Sequence, residues 1–383
     1  MAKTIYLDNG ATSFPKPEEV YKAVDKTLRT VGGSPGRSSH TMAIEASRII
    51  FETRESLARL LNIPDATRII FTKNSTEAIN TALKGLLRKG DHVVTSSFEH
   101  NAVAKTLAYL EKEHNIKVTK VKAKRTDYIT AKEISDAITT ETKLVTVMHA
   151  SNVLGTIQPI KEIAKVCHDK NVLFMADCAQ TIGSLPFDAQ DIDADIVAGT
   201  GHKALLGPQG VGFLYLKEGI EPTQLIHGGT GFSSLDDDTV TPDRFESGTM
   251  NTPGIAGLGA GIQFILNKGI ENIRAHEVKL IHKILEGISN IDGVTILGSN
   301  KAEERTSLVS FTMKDKDPAE IGKLLDRGHY ANIMVRTGEH CSPDAHKLIG
   351  TYPAGAVRVS PGIFTTEEEI DIFIKVIKEI ATL

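Results

Sequence analysis

From about residue 66 to residue 217, short apolar segments alternate regularly with amphipathic segments of helical period. This alternation predicts a mostly parallel sheet covered by helices on both faces. The predicted strands are Arg68–Thr72, His92–Ser96, Lys143–His149, Val172–Asp177, Asp195–Gly199 and Val211–Leu216, and the predicted helices between them are Thr76–Leu87, Asn101–Glu113, Ala131–Thr139 and Ile160–Asp169. Ligands of such sheets bind at the carboxyl ends of the strands, so we look for a site there.

After about residue 252 the pattern changes to a mixture of helices and short strands. The predicted segments are Ile255–Leu266, Ile270–Ser289, Ser307–Met313, Pro318–Arg327, Ile333–Arg336, Ala356–Ser360 and Thr366–Ala381. A chain of 383 residues also exceeds the size that one hydrophobic core supports. We therefore expect an α/β fold with a large domain at residues 14–251, and a smaller α+β domain formed by residues 1–13 and 252–383.

The net charge, the apolar segments and the number of cysteines bear on which partners, membrane segments and disulfides are expected. A net charge of −4 gives no reason to expect nucleic acid as a partner, and the basic segment Lys117–Arg125 alternates with Val and Ala like the outer face of a strand. No apolar segment is long enough to span a membrane, and no signal peptide is apparent. Three cysteines are too few for a disulfide framework, which predicts a reducing cytoplasm. The run Asp236–Asp238 predicts a solvated loop.

Two polar residues follow predicted strands at their carboxyl ends. Lys203 closes the segment Gly199–Lys203 (GTGHK), and an amine in this place can form an imine with an aldehyde cofactor. Asp177 ends another strand, where an unpaired carboxylate is costly to bury. It either caps the following segment or pairs with a pyridinium nitrogen. For a lysine considered alone, an ordinary surface charge remains the alternative.

Three further strand ends carry polar groups. Ser75 and Thr76 begin a predicted helix, where they either form a phosphate site or act as ordinary caps. His100 can stack on a flat ring or serve a structural role, and Asn152 follows the next strand. Together with Lys203 and Asp177, these residues suit one planar phosphorylated cofactor.

Cys341 lies in a polar loop beside His340 and five residues after Arg336. Positive neighbours favour the thiolate, which is the reactive form. By contrast, Cys167 and Cys178 lie in apolar surroundings that predict buried core positions. A metal site built from His340, Cys341 and His346 has no second ligand cluster, so we predict no metal. Arg358 suits two-pronged capture of a substrate carboxylate.

Five motifs carry a resemblance that extends over nearly the whole chain: NSTEAIN at 74–80, SNVLGT at 151–156, ADCAQ at 176–180, TGHKALLGPQGVG at 200–212 and FESGTMNTP at 245–253. This set resembles the class V aminotransferase family of fold-type I pyridoxal-phosphate enzymes. Within that family the chain is most similar to the cysteine desulfurases.

The resemblance implies a role for each motif residue. Lys203 would hold pyridoxal 5'-phosphate covalently and move the Cα proton of the substrate, while Asp177 would pair with the ring nitrogen. The other implied cofactor contacts are Gln180 at the phenolic oxygen, His100 stacked on the ring, Asn152 near the phenolic oxygen and substrate, and Ser75, Thr76, Thr200 and His202 at the phosphate. Thr249 would reach the phosphate of a neighbouring subunit, which implies a homodimer with shared sites.

The segment Arg336–Cys341 (RTGEHC) resembles the desulfurase subgroup that has a short catalytic loop. It departs from that pattern at Glu339, where a second histidine is usual, and at Ser342-Pro343-Asp344, where alanine and a Gln-Pro pair are usual. The carboxylate of Glu339 opposes thiolate formation.

The implied reaction converts L-cysteine to L-alanine and leaves the sulfur as a persulfide on Cys341 for an acceptor protein or thiol. Asn152, Arg336 and Arg358 would contact the substrate. Alternatives are a selenocysteine lyase, a sulfinate-active or other class V enzyme, and a non-catalytic sulfur-carrier partner. A nucleotide site at Gly207–Gly212 lacks the acidic ribose partner and the spacing of that motif.

Overall fold

The computed structural model describes residues 3–36, 38–123, 127–229, 241–327 and 331–383. The predicted loop Asp236–Asp238 and the end of the basic segment at Lys124 and Arg125 lie outside the described residues. Within them, no helix is both long enough and apolar enough to cross a membrane.

The described strands are β1 (Lys3–Tyr6), β2 (Ile69–Thr72), β3 (His92–Ser96), β4 (Lys117–Val121), β5 (Thr142–Met148), β6 (Leu173–Asp177), β7 (Ile196–Thr200), β8 (Gly212–Leu216), β9 (Val294–Leu297), β10 (Val309–Met313), β11 (Ala331–Met334), β12 (Arg336–Gly338) and β13 (Ala356–Val359). The described α-helices are α1 (Glu18–Thr30), α2 (Thr41–Leu61), α3 (Ser75–Leu86), α4 (Asn101–His114), α5 (Ala131–Ala137), α6 (Ile160–His168), α7 (Ala189–Ile192), α8 (Thr252–Lys268), α9 (Ile270–Ser289), α10 (Pro318–Asp326), α11 (Pro343–Ile349) and α12 (Glu367–Thr382).

Seven strands form one large sheet in the order β2-β8-β7-β6-β5-β3-β4. Strand β8 runs antiparallel to both neighbours, and the remaining pairs are parallel. Every residue of β3, β7 and β8 is buried, because helices cover both faces of the sheet. The predicted α/β class and each predicted strand of this sheet are confirmed to within one residue at either end. The basic segment forms the edge strand β4, which is partly exposed.

The second sheet is smaller and antiparallel, in the order β12-β13-β10-β9, while β1 pairs in parallel with β11. Its core includes Leu280 of α9, Phe311 of β10 and Phe373 of α12. Helix α8 packs elsewhere, since Leu258 and Ile262 belong to the core of the large sheet. The domain boundaries at residues 13 and 251 stay a prediction.

Candidate active site

A cavity of about 220 Å³ lies between the carboxyl ends of the large-sheet strands and the smaller sheet. Most of the predicted site residues line this cavity together: Ser75, Thr76, His100, Asn152, Asp177, Gln180, Thr200, His202, Lys203, Arg336 and Arg358. Gly10, Ala11, Asn74 and His340 also line it. Residues far apart in the chain thus meet at the sheet edge where the alternating pattern placed the site.

The central part of the cavity wall is formed by two adjacent parallel strands. Asp177 is the last residue of β6 and pairs in register with Ala198 of β7, and Lys203 follows the end of β7 by three residues. The Asp177 carboxylate accepts a hydrogen bond from the backbone N–H of Ala179 at 3.0 Å. It is therefore a local cap as well as a buried charge facing the cavity.

Burial dominates the electrostatics of both groups. It lowers the pKa of Lys203 to about 8, with Asp177 opposing the shift and Arg358 adding to it. It raises the pKa of Asp177, although the Ala179 N–H and Lys203 favour the charged carboxylate. A lysine whose pKa is lowered in this way supplies a neutral, nucleophilic amine more readily than a surface lysine.

One end of the cavity has the donors that a phosphate needs. Ser75 Oγ, Thr200 Oγ1 and His202 Nδ1 are buried and have no hydrogen-bond partner among the described residues. Helix α3 begins at Ser75, but its cap is Asn74, whose side chain accepts from the Glu77 N–H at 3.0 Å. The Ser75 hydroxyl is therefore free for a ligand at the positive end of a helix, so these residues fit a phosphate group.

His100 and Gln180 each make a structural contact at the cavity. His100 caps α4, with Nδ1 accepting from the Ala102 N–H at 3.0 Å. Burial, then the charges of Lys203 and Arg336, lower the pKa of His100 to about 4, so the ring is neutral at pH 7. Gln180 donates to the Gly10 carbonyl at 3.1 Å. The stacking role of His100 and the phenolic-oxygen contact of Gln180 stay predictions.

The thiol of Cys341 is exposed. Cys341 is not among the residues that line the cavity, but it lies at the rim, beside the lining residues Arg336 and His340. Arg336 Nη2 lies 3.4 Å from Cys341 Sγ, so a fixed positive charge adjoins the sulfur. His340 and Cys341 have φ angles of 51° and 61°, in the left-handed region. That conformation costs a non-glycine residue roughly 1–2 kcal/mol, so contacts outside the turn must offset it.

The expectation that His340 adds a second positive charge was wrong. Its side chain is buried, and burial, followed by the charge on Arg358, lowers its pKa to about 2. The neutral ring stacks on His346, with centroids 5.7 Å apart. Tertiary packing places this histidine inside the protein, and Arg336 is left as the positively charged neighbour of Cys341.

Arg358 is almost completely buried at the far wall. Its Nη1 donates to the Asn152 carbonyl at 3.0 Å and its Nη2 to Asp8 Oδ1 at 2.9 Å, whereas Nε has no partner among the described residues. Asp8 was not among the predicted site residues, although it lies in the polar segment Asp8–Ser13 that follows the first strand. Glu99 was not predicted either, although this buried carboxyl group follows a strand as Asp177 does, and Ser342 was noted only as a departure from the desulfurase pattern.

Thr249 is exposed and does not line this cavity, whereas its neighbours Gly248 and Met250 line another cavity beside Arg54 and Glu246. Its role at a neighbouring subunit stays a prediction.

Comparisons with known proteins agree on one family. The aminotransferase class-V family model matches residues 5–373. A probable cysteine desulfurase of Methanothermobacter thermautotrophicus is 37% identical, covering 98% of this chain and 94% of that protein. The cysteine desulfurase IscS of Clostridium botulinum is 32% identical, covering 99% and 95%. The apo structure of a cysteine desulfurase from Thermococcus onnurineus NA1 is similar with a TM-score of 0.92 and 32% identity, covering 99% of this chain and 95% of that one.

Proposed function

Since the chain belongs to the class-V aminotransferase family, we propose that it is a pyridoxal-phosphate-dependent cysteine desulfurase. One observation carries the proposal: an exposed thiol beside an arginine lies at the rim of a cavity that contains a buried lysine of lowered pKa. The lysine suits capture of an aldehyde cofactor, and the thiol suits acceptance of sulfur.

The cavity residues divide into those for the phosphate and those for the ring. Ser75, Thr200 and His202 would hold the phosphate with their unpartnered polar atoms, joined by Thr76. Asp177 would face the ring nitrogen, His100 the ring face and Gln180 the phenolic oxygen. When bound, pyridoxal phosphate supplies an aldehyde that captures the amino group and a ring that accepts the electrons left when the Cα proton departs.

Lys203 would take the Cα proton of cysteine. Its amine is buried, and the lowered pKa of about 8 leaves part of it unprotonated near neutral pH. Arg358 would hold the substrate carboxylate through the edge that carries the unpartnered Nε. Asn152 follows β5 on the large-sheet side, and it would contact the substrate beside Arg358, because its carbonyl accepts from Arg358 Nη1.

Sulfur would then pass to Cys341. The thiolate attacks the substrate sulfur, an S–S bond forms, and the Cβ–S bond breaks with its electron pair left on Cβ. A proton added at Cβ completes the methyl group of alanine, and Cys341 keeps a persulfide. Arg336 Nη2 lies 3.4 Å from Cys341 Sγ, so the guanidinium would contact the attacking sulfur. The exposed position of Cys341 lets an acceptor protein or thiol remove the sulfur, and a reducing cytoplasm keeps the thiol available.

The family resemblance also supports a homodimer in which Thr249 reaches the partner's phosphate. Thr249→Arg and Lys203→Ala protomers would each be inactive alone. In mixed dimers, one site would keep both native residues, so activity should return in part. Verified mixed dimers with no activity would exclude a shared site.

The deciding experiment combines an absorption spectrum with product analysis. The purified protein should be yellow, its spectrum should change when L-cysteine is added, and alanine and sulfide should form in equal amounts in the presence of a reducing thiol. The same assay with L-selenocysteine tests the lyase alternative. A yellow protein that forms no alanine from cysteine would exclude the desulfurase proposal and keep the cofactor assignment.

A further inference from the structure

The turn that carries Cys341 is held on both sides by one side chain. Asn152 Nδ2 donates to the carbonyl of His340 at 2.6 Å, and Asn152 Oδ1 accepts from the hydroxyl of Ser342 at 2.9 Å. Between these two bonds, the Cys341 carbonyl accepts from the Asn101 N–H at 2.8 Å. Each residue from His340 to Ser342 is therefore tied to the large-sheet side of the cavity.

The hydroxyl of Ser342 does not cap the helix α11, although Ser342 is at the N-cap position. Ser342 is the N-cap residue of α11, and a serine there ordinarily accepts a bond from a backbone N–H of the first turn. Here the side chain makes no capping bond and donates to Asn152 instead. Ser342 is 0% exposed and Asn152 4% exposed, so water does not compete for this bond.

The backbone of the turn needs this support. His340 and Cys341 are consecutive left-handed residues, and neither is glycine. Such a conformation persists only where the surroundings over-determine it. Without the bonds from Asn152, the turn could relax to ordinary backbone angles and carry Cys341 Sγ away from Arg336.

Asn152 also links the sulfur to the substrate anchor. Its backbone carbonyl accepts from Arg358 Nη1 at 3.0 Å, while its side chain holds the turn. One residue thus sets the position of the thiol relative to the arginine that would bind the substrate carboxylate. Ser342 completes the arrangement, because its hydroxyl fixes the Oδ1 end of the amide.

We propose that Ser342 is a positioning residue for Cys341, and that it acts through Asn152 to keep the sulfur where it meets the substrate. Its effect on turnover rests on the proposed desulfurase function. Its effect on the order of the turn is a property of the protein itself, so the two can be measured separately.

The test compares Ser342→Ala with the wild type, both loaded with pyridoxal phosphate. Amide hydrogen exchange in the segment Gly338–Ser342 should become about 3- to 10-fold faster, as loss of one hydrogen bond implies. Alanine production from cysteine should fall about 10- to 100-fold in kcat with KM about unchanged, since a small displacement of a reacting group has effects of this size. The absorption spectrum of the bound cofactor should not change.

Ser310→Ala is the matched control. The Ser310 hydroxyl is also fully buried and bonds to the carbonyl of Val153, next to Asn152, but it does not contact the turn. This variant should match Ser342→Ala in lost stability and keep native exchange at Gly338–Ser342 and native kcat. If Ser342→Ala behaves like Ser310→Ala, or if exchange accelerates while kcat stays native, the positioning role is overturned.

A double-variant cycle tests the route through Asn152. Exchange in the turn should be no faster in Asn152→Ala/Ser342→Ala than in Asn152→Ala alone, because Ser342 then has no partner to hold. Fully additive effects would show that Ser342 acts by another route. A wild type that makes no alanine would defeat the desulfurase proposal, while the exchange measurements would still decide the role of Ser342 in the turn.

Discussion

The two walls of the cavity position their reactive groups in different ways. The large-sheet wall presents Asp177 and Lys203 from adjoining strands, and burial disfavours charge on both side chains. The opposite wall presents Cys341 from a short turn with left-handed backbone angles, an exposed thiol and a charged arginine at 3.4 Å. The large-sheet wall is dry, in the sense that its reactive groups are buried at strand ends. The opposite wall is open, because its thiol is exposed, and a few hydrogen bonds hold its turn in place.

This difference matches the two tasks of the proposed reaction. A cofactor that stays in place is best held by strand ends that cannot move and by polar atoms that water does not reach. A sulfur atom that must leave the enzyme needs an exposed carrier, and only a surface turn provides one. The turn is strained, and Asn152 and Asn101 offset the strain from the rigid wall. The position of the exposed thiol is therefore fixed by hydrogen bonds from the buried wall.

The largest expected effect is at the buried wall. Borohydride reduction of the yellow protein should fix the cofactor to the peptide that contains Lys203. Lys203→Ala should lose about 10⁴-fold or more in activity, because it removes both the acid–base group and the amine that would capture the cofactor. Lys16 is a natural control, because burial also lowers its pKa to about 8. Its amine already donates to Ser13 Oγ at 2.7 Å and to the His202 carbonyl at 2.9 Å. Label on the Lys16 peptide would contradict the assignment.

Removing the thiol from the open wall should block sulfur transfer but leave cofactor binding intact. Cys341→Ser should still bind the cofactor and cysteine, but alanine and persulfide formation should fall about 10³-fold or more, as for the loss of a nucleophile. The measurement is alanine release together with mass spectrometry of the persulfide.

Cys167 and Cys178 provide the controls for that variant. Burial raises the pKa of Cys167 to about 12 and that of Cys178 well above its ordinary value, so neither forms a thiolate readily. Their serine variants should keep the native kcat apart from some loss of stability. If Cys341→Ser turns over cysteine at the native rate, the desulfurase mechanism is wrong. If the variant acts on selenocysteine alone, the lyase alternative is favoured.

The same contrast explains what the sequence could predict. Strands buried on both faces appear as continuous apolar segments, so their ends, and with them Asp177 and Lys203, could be located to within a residue or two. Helix α2 was not predicted, although Ala43, Ala46 and Ile50 recur at helical spacing and share one buried face.

The opposite wall depends on contacts between distant segments, which no local pattern encodes. Asp8 pairs with Arg358 across 350 positions, and Ser342 pairs with Asn152 across 190. The neutral state of His340 likewise follows from packing against His346 and the buried charge of Arg358. A sequence can suggest the reactive cysteine from its neighbours, but it cannot show which of them are charged.

Arg336 and Arg358 lie opposite each other in register on β12 and β13. Their lysine variants should change the kinetics in different ways, with effects of intermediate size. Arg358→Lys should raise KM for cysteine about tenfold, because lysine cannot copy a planar two-pronged contact with a carboxylate. Arg336→Lys should instead lower kcat, since the lysine ammonium keeps the charge but cannot occupy the position of the guanidinium Nη2 beside Cys341 Sγ. Steady-state kinetics distinguishes the two, with the cofactor spectrum as the check on folding. An unchanged KM for Arg358→Lys would move the carboxylate contact to Arg336.

The smallest expected effect concerns a carboxyl group behind the buried wall. Glu99 precedes His100, and its Oε1 accepts from the Ser96 hydroxyl at 2.5 Å and from the Met148 N–H at 3.1 Å. Met148 is the last residue of β5 and the register partner of Asp177, so Glu99 ties the end of β3 to the strand beside the one that carries Asp177. Burial, with a smaller contribution from the charge on Asp177, raises the pKa of Glu99 to about 8.

Because the folded-state pKa of Glu99 lies above its ordinary value of 4.5, the folded protein binds more protons than the unfolded chain between pH 4.5 and about 8. Stability from this group is therefore fully present below pH 4.5 and is lost as the pH rises to about 8. Glu99→Gln cannot ionise, so its melting temperature should rise relative to that of the wild type across this range, by about 2–4 °C for each 1 kcal/mol of stability that the wild type loses. In Glu277→Gln the gain should level off near pH 7, since burial raises that pKa only to about 7. A difference between Glu99→Gln and the wild type that stays constant with pH would mean that Glu99 is already charged, and the dry character assigned to this wall would not extend behind Asp177.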